Sequence, residues 1–325
     1  PHKNDIIIVF TDGEELGLNG AKLFVKEHPW TKDIGLILNF EARGSGGPSF
    51  TLVETNDGNA NLMNEFIKAN PKYPVANSLA YSIYKKLPND TDLTVFRKNA
   101  NIQGFNFAFI DDHYDYHSSL DTPERLDNNT LSHQASYLMP LLKHFGNADL
   151  STLNSTENNV YFNSPLGMHS YPFSWILPLV IIALILFVSI IIYGKRNKKL
   201  NNKEIGKGFL ALFSSLIINS LIGFVGWKVI LNLYPHYTEI LHGFTYNGHL
   251  YILLFVLLAI SITLYIYKKV YTSNNTKELI VAPIFLWLII NFIISQHLEG
   301  ASFFIVPVFF ALGLFFILLQ KEKPS

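Results

Sequence analysis

The sequence predicts an α/β domain followed by an all-α bundle of about five transmembrane helices. Short apolar runs alternate with helically spaced segments in the first half of the 325 residues, a pattern typical of a sheet with helices on both faces. The second half holds five apolar stretches, each close to the roughly 20 residues that cross a bilayer as a helix. A polar segment rich in Asn and Ser separates the two halves.

Composition narrows the classes of function. The formal net charge is +0, so nothing indicates a nucleic-acid partner. The chain has no Cys, which excludes disulfides and thiolate metal sites, so any metal must be bound by His and carboxylate side chains. Apolar residues make up 49% of the chain and are concentrated in the second half, which indicates a lipid bilayer as the partner of that half. The sequence does not indicate an oligomeric state.

The predicted elements follow in order along the α/β domain, residues 1–147. Buried-type runs predict strands, and the spacing of apolar residues predicts helices. A linker is expected at 148–171, and the transmembrane region covers 172–320. The strands are predicted at 5–11, 34–42, 49–55 and 105–110, the helices at 14–27, 59–68 and 128–145, the spans at about 172–193, 209–232, 249–267, 279–296 and 300–319, and a cytoplasmic tail at 321–325.

Lysine and arginine residues predict the orientation in the membrane. The links after the first and third spans, 194–208 and 268–278, are basic, whereas the links after the second and fourth spans contain no Lys or Arg. The positive-inside rule then puts the α/β domain outside the cytoplasm and the carboxyl terminus inside. The Asn-, Lys- and Ile-rich composition favours a bacterial inner membrane with a periplasmic domain. A eukaryotic endomembrane, with the domain in its lumen, is the alternative.

Acidic and imidazole side chains follow three of the predicted strands. Glu14 and Glu15 follow the first strand, Glu41 ends the second, and His117 lies after the strand at 105–110. Because functional groups of open α/β sheets gather beyond the carboxyl ends of strands, we expect these side chains at one edge. Carboxylates and imidazoles are the ligands of hydrolytic zinc sites. The alternative for the two adjacent acids is that they open a helix and are favoured there by its dipole.

Four segments carry a resemblance to a known family. The segments "FTDGEELGLNGAKLF", "NFEARGSGGP", "LPNDTDLTVFRKNANIQGFNFAFI" and "YHSSLDTPERLD" occur in the order seen in co-catalytic zinc exopeptidases of the aminopeptidase and glutamate-carboxypeptidase type, whose relatives include the transferrin-receptor ectodomain. The sequence most resembles the membrane branch, the endoplasmic reticulum metallopeptidases and vacuolar membrane proteases. The resemblance covers most of residues 5–145 and implies a zinc-exopeptidase domain with a three-layer α/β/α fold.

The resemblance also implies a role for each site residue. Glu14 would be the general base that takes a proton from a zinc-bound water. Glu15 and His117 would bind one zinc, Glu41 would bind a second, and Tyr116 would border the substrate pocket. The implied function is that of a membrane-anchored, zinc-dependent exopeptidase of aminopeptidase type, which hydrolyses peptides outside the cytoplasm with two Zn²⁺ ions per complete domain.

In members of this family, two of the five zinc ligands lie upstream of the strand that corresponds to the first strand here. Only a few residues precede that strand here, and the sequence opens with neither an initiator Met nor a signal peptide. We therefore expect an amino-terminally truncated domain whose missing segment supplies a His and a bridging Asp and completes the sheet. We expect the chain as written to be inactive. The alternative function is that of a catalytically inactive, peptidase-like protein that binds partners or scaffolds a membrane complex.

Overall fold

The computed structural model of the chain describes residues 2–88, 90–240 and 243–321. The chain divides into two compact units, of which the first comprises Pro1–Ile176 with Ile294–Phe303 and the second Leu177–Ile293 with Phe304–Ser325. Of the predicted tail at 321–325, only Lys321 lies within the described residues.

The first unit contains a three-stranded mixed sheet, the helices that cover it, and a separate β-hairpin. Its strands are β1 (Ile37–Ala42), β2 (Gly46–Glu54), β3 (Gly104–Asp111), β4 (Asn159–Ser164) and β5 (Gly167–Pro172). Its helices are α1 (Asn19–Glu27), α2 (Ala60–Ala69), α3 (Ser78–Tyr84), α4 (Asp92–Ala100) and α5 (Asn128–Phe145). β3 is the central strand, with β1 parallel to it on one side and β2 antiparallel on the other.

The central strand separates an aromatic layer from a polar one. Side chains alternate between the two faces of a strand, so Phe105 and Phe107 point to the side opposite from Asn106. Both Phe side chains are fully buried against α2 and α5, where the rings of Phe107 and Tyr137 are 4.9 Å apart. On the polar face, Asn106 lies opposite Asn39 of β1. The predicted α/β class is confirmed, and this polar face carries part of the candidate site.

The first predicted strand, 5–11, is not a strand in the structure. The segment has no regular secondary structure and joins no ladder of hydrogen bonds among the described residues. Several of its side chains are exposed, and Phe10 is 94% exposed. The apolar run fits a buried strand, but a strand also needs a hydrogen-bonded neighbour, and the described part of the chain supplies none here.

The predicted helix at 14–27 begins later than expected, at Asn19. The preceding residues form a turn in which the Glu14 carbonyl accepts hydrogen bonds from the backbone N–H groups of Gly17 and Leu18 at 3.0 and 2.8 Å. Leu18 has a left-handed backbone, φ 61°, which is incompatible with a continuing helix. Glu14 and Glu15 therefore lie outside the helix, and the alternative that they are first-turn helix acids is wrong.

The segment 148–171, which composition indicates to be a linker, contains the hairpin of β4 and β5. Val160 and Tyr161 on β4 are fully buried. The Asn side chains that suggested a linker instead make hydrogen bonds to the backbone. Asn158 accepts from the N–H of Asn59 at 3.2 Å, and Asn163 accepts from the N–H of Ala76 at 3.0 Å. Polar composition alone could not distinguish this use of Asn from that in a solvated link.

The second unit is helical, and the five predicted spans are confirmed as helices long and apolar enough to cross a membrane. Ala183, Leu288 and Phe315 belong to an apolar core that three of these helices share. The five helical stretches run over Phe173–Arg196, Asn202–Leu233, Gly248–Val270, Thr276–His297 and Glu299–Gln320. Within them the α-helices are α6 (Ile176–Arg196), α7 (Asn202–Leu233), α8 (Gly248–Val270), α9 (Thr276–Leu279), α10 (Val281–His297) and α11 (Ile305–Gln320).

A short piece of the apolar half belongs to the first unit. Residues Ile294–Phe303 join the last turn of α10 to α11 and cluster with the α/β part of the chain. The hydroxyl of Ser78, at the start of α3, donates to the carbonyl of Gly300 at 2.6 Å. The rings of Phe162 and Phe303 stack with centroids 5.5 Å apart. The first unit is therefore built from two separate stretches of sequence.

Candidate active site

Glu15 and His117 meet although 101 positions separate them in the sequence. The Nε2 atom of His117 lies 2.7 Å from Oε2 of Glu15, and both side chains are more than half exposed. Glu15 comes from the turn before α1, and His117 from the loop after β3. His117 has a left-handed backbone, φ 55°, a conformation that costs free energy and recurs at functional sites.

Glu14 lies in the same charged neighbourhood. Partial burial raises the pKa of Glu14, and the nearby carboxylates of Glu15 and Asp92 raise it further. The charges of Arg43 and His117 oppose that rise. A carboxyl group with a raised pKa is a better proton acceptor and donor near neutral pH than an ordinary surface carboxylate.

Glu41 is held near the end of β1 by donors on two sides. Its Oε1 atom accepts from Nδ2 of Asn106 at 2.8 Å and from Nε of Arg43 at 3.3 Å. Burial raises the pKa of Glu41, the two hydrogen bonds lower it, and the Glu14 carboxylate raises it. Glu41 and Glu14 therefore act on each other electrostatically, as expected for groups at one edge of the sheet.

A buried polar network supports Glu41 from below. Asn106 is fully buried, and its Oδ1 atom accepts from Nδ2 of Asn39 at 2.8 Å. Its Nδ2 atom also lies 3.4 Å from the hydroxyl of Tyr84, which donates to Glu54 at 2.8 Å. Glu54 is itself buried and paired with Arg97 at 3.0 Å. This chain of contacts fixes the polar face of the sheet on which Glu41 stands.

Tyr116 and Asp92 flank the candidate site. The ring of Tyr116 stacks on His117, with centroids 3.8 Å apart. Burial raises the pKa of Tyr116, and Glu15 adds to the rise while Arg43 opposes it. Asp92 is buried at the start of α4, where it accepts from the hydroxyl of Thr11 at 2.5 Å. Tyr116 thus packs on the ring of His117, its role at a substrate pocket stays a prediction, and Asp92 acts on Glu14 through its charge.

The donor chemistry fits part of a zinc site. Glu15 and His117 supply one carboxylate and one imidazole at contact distance, the ligand types that zinc uses in hydrolytic enzymes. Within residues 2–88, 90–240 and 243–321, however, no group of three or more His, Asp or Glu side chains is arranged to hold a metal ion. Glu41 is not gathered with the other two into such a group.

Sequence reasoning missed two residues of this neighbourhood, Arg43 and Asn106. Arg43 lies two positions after Glu41, inside the segment "NFEARGSGGP". The sequence shows this proximity along the chain, but it does not show that the two side chains are in contact. Asn106 is the polar interruption of the apolar run "FNFAFI", and a polar residue within a buried strand is a signal for a required hydrogen bond.

Comparison with known proteins gives a family for the first part of the chain. Residues 1–142 match the model of peptidase family M28. Human endoplasmic reticulum metallopeptidase 1 is 28% identical over 250 residues, which cover 71% of this chain and 27% of that protein. The vacuolar membrane protease of Candida dubliniensis is 28% identical over 187 residues, which cover 57% of this chain and 19% of the relative. No solved structure matches.

The chain spans about a quarter of the length of the curated relatives it matches. The family match and the membrane relatives agree with the resemblance carried by the segments around Glu14, Glu41 and His117. Residues 1–142 are therefore similar to peptidase family M28, within an integral membrane chain whose relatives include an endoplasmic reticulum metallopeptidase and a vacuolar membrane protease.

Proposed function

We propose that this chain carries part of the catalytic domain, and the membrane anchor, of a zinc-dependent exopeptidase of aminopeptidase type. The observation that carries the proposal is the 2.7 Å contact between Glu15 and His117, which joins two distant segments of the region that matches the family. The assigned roles of Glu14, Glu15, Glu41, His117 and Tyr116 are predictions that the family match supports but does not test.

The proposed chemistry divides among the residues of this chain. Glu15 and His117 would hold one zinc, and Glu41 would contribute to a second, with two Zn²⁺ per complete domain. The chemistry that zinc supplies when bound is activation of a water molecule and polarisation of the scissile carbonyl. Glu14 would accept a proton from the attacking water and return it to the leaving amine. Its partly buried carboxyl, with a raised pKa, suits both steps.

A second function has one observation in its favour. The described residues hold no group of three His, Asp or Glu side chains suited to a metal. A catalytically inactive, peptidase-like protein that binds partners or scaffolds a membrane complex would need no such group. The two functions differ in whether the protein retains zinc.

We also propose the domain organisation and the orientation. The peptidase domain would comprise 1–147 together with the hairpin at 159–172, and the five helical spans would anchor it. The basic links after the first and third spans would lie in the cytoplasm, with the peptidase domain on the other side of the membrane. A bacterial periplasm is favoured over a eukaryotic endomembrane lumen.

The test combines zinc content with peptide hydrolysis. It uses the 325-residue chain and the longest reading frame that contains it, purified in detergent. Glu14→Gln should keep zinc and lower turnover by about 10²- to 10⁴-fold, since it removes only the base. His117→Ala should lower the zinc content, and Glu124→Gln, at an exposed position of the nearby loop, should change neither.

Each result decides between the two functions. Zinc bound by the unmodified protein and lost with His117→Ala supports the peptidase. Normal turnover in Glu14→Gln contradicts its role as the base. Absence of zinc from both purified proteins would favour the inactive binding or scaffold function.

A further inference from the structure

Arg43 is a cation set among the acidic residues of the candidate site. Its Nε atom lies 3.3 Å from Oε1 of Glu41, and its side chain is 21% exposed. Its charge lowers the pKa of Glu14 as well as that of Glu41. The same charge also lowers the pKa of Tyr116, which lies beside His117. The guanidinium therefore lies against Glu41 and acts electrostatically on Glu14 and Tyr116.

The backbone around Arg43 is fixed before any ligand binds. Its N–H donates to the carbonyl of Phe109 at 2.9 Å, directly after β1 ends. The next residue, Gly44, is packed so closely that a Cβ atom there would meet the carbonyl oxygens of Ile110 and Asp111. The loop cannot move toward β3 without a clash. The backbone that carries Arg43 is thus held in place, and the contact of Nε with Glu41 directs the guanidinium toward that acid.

Within the described residues, most of the N–H donors of Arg43 have no side-chain acceptor. A guanidinium carries five N–H donors in a planar fork, and Nε accounts for one of them. Among the residues that the structure describes, Glu41 Oε1 is the side-chain acceptor of Arg43, and it bonds to Nε. The two terminal nitrogens remain available, and their geometry matches the two oxygens of a carboxylate.

We propose that the terminal nitrogens of Arg43 bind a carboxylate group of the peptide substrate. This inference rests on the proposed function, because it assumes that a peptide occupies the space between Glu14, Glu41 and Tyr116. The carboxylate has two possible sources, the carboxyl terminus of a short peptide or an acidic side chain. Either source would make the protein select anionic peptides over otherwise identical neutral ones.

A simpler role for Arg43 would be to neutralise the acids around it. That role would affect every peptide equally, whether or not the peptide carries a carboxylate. Substrate selection is therefore the property that separates the two roles, and binding measures it without any need for turnover.

The test measures dissociation constants by calorimetry with the full 325-residue chain in lipid nanodiscs. A chelator is present so that a peptide carboxylate cannot bind a metal. The probes are Ala-Ala-Ala, its carboxyl-terminal amide, and Ala-Asp-Ala amide. We expect one of the two carboxylate peptides to bind about 10- to 100-fold more tightly than Ala-Ala-Ala amide, the range of a charge-assisted hydrogen-bonded pair. The peptide that binds more tightly identifies the source of the carboxylate.

Variants connect that preference to Arg43. Arg43→Gln should abolish the preference, and Arg43→Lys should reduce it several-fold, because Lys keeps the charge but loses the planar fork. Arg196→Gln, which removes an exposed Arg from the other unit, should leave it unchanged. If Arg43→Gln does not fold, Arg43→Lys decides.

Three results would overturn the inference. They are equal binding of all three peptides by the unmodified chain, no binding of any of them, and an unchanged preference in Arg43→Lys or in a folded Arg43→Gln. A loss of affinity that is the same for all three peptides would leave Arg43 with the neutralising role alone. None of these results depends on hydrolysis, so a failure of the proposed peptidase activity would be seen separately.

Discussion

Asn106→Leu is expected to destabilise the first unit strongly at neutral pH and weakly in acid. Asn106 is fully buried and donates to Oε1 of Glu41 at 2.8 Å. Leu is similar in size, so the change leaves little cavity and removes two hydrogen bonds, one to the carboxylate of Glu41 and a neutral, pH-independent one from Asn39. A hydrogen bond to a charged group contributes about 1.5–3 kcal/mol, and a unit of this size loses about 2–4 °C per kcal/mol. The expected fall in Tm at neutral pH is therefore about 3–12 °C.

The pH dependence follows from the direction of the pKa of Glu41. Burial raises this pKa in the folded chain, and the hydrogen bond from Asn106 opposes the rise. Without Asn106, the folded-state pKa moves further above the unfolded value. A group with a raised folded-state pKa contributes stability that is present below the unfolded pKa and is lost as pH rises through the folded pKa. The variant and the unmodified chain should therefore differ least below about pH 4.

Thermal unfolding followed by circular dichroism, on chelator-treated protein between pH 4 and pH 8, measures both effects. Asn61→Leu is the matched control, because the exposed Asn61 donates only to the neutral carbonyls of Thr152 and Asn154. It should cost about 1 kcal/mol or less, with no dependence on pH. The reasoning is refuted if Asn106→Leu lowers Tm by the same amount at pH 4 and pH 8, or by no more than Asn61→Leu.

Two further predictions concern the first unit and the orientation. Gly300→Ala should lower the Tm of the first unit, because the new Cβ would meet the Ser78 carbonyl. Gly313→Ala is the control and should leave Tm unchanged, because nothing lies within 4 Å of a Cβ added there. Equal Tm values for the two variants would contradict the packing argument. Since the chain lacks Cys, a membrane-impermeant maleimide should label Asn129→Cys but not Lys203→Cys in spheroplasts, and the reverse pattern would contradict the orientation.

The spacing of apolar residues and the length of apolar runs predicted the elements that depend on nearby sequence alone. The helix at Asn128–Phe145 and the run of β3 follow from apolar periodicity, and the spans follow from length and hydropathy. The strand at 5–11 was wrong because its apolar run carries no information about a hydrogen-bonded neighbour. The hairpin at 159–172 was missed because the side chains of Asn158 and Asn163 bond to the backbone of residues distant in the sequence.

In the candidate site, too, the sequence predicts some features and not others. The chemical types of Glu14, Glu15, Glu41 and His117 are readable from the sequence, and the structure brings Glu15 and His117 into contact. The support of Glu41 by Asn106 depends on the register between β1 and β3, which periodicity does not give. For that reason sequence analysis identifies the groups that could do chemistry more readily than the groups that hold them in place.

The contribution of Ile294–Phe303 to the first unit bears on how this protein can diverge. A peptidase domain that ended before the first span would lack the Gly300 carbonyl that receives the Ser78 hydroxyl, and the Phe303 ring that stacks on Phe162. Exchange of such a domain between relatives would leave these contacts mismatched unless residues Ile294–Phe303 were exchanged with it. Substitutions in the two stretches should accordingly compensate one another, and the two halves should be inherited as a pair.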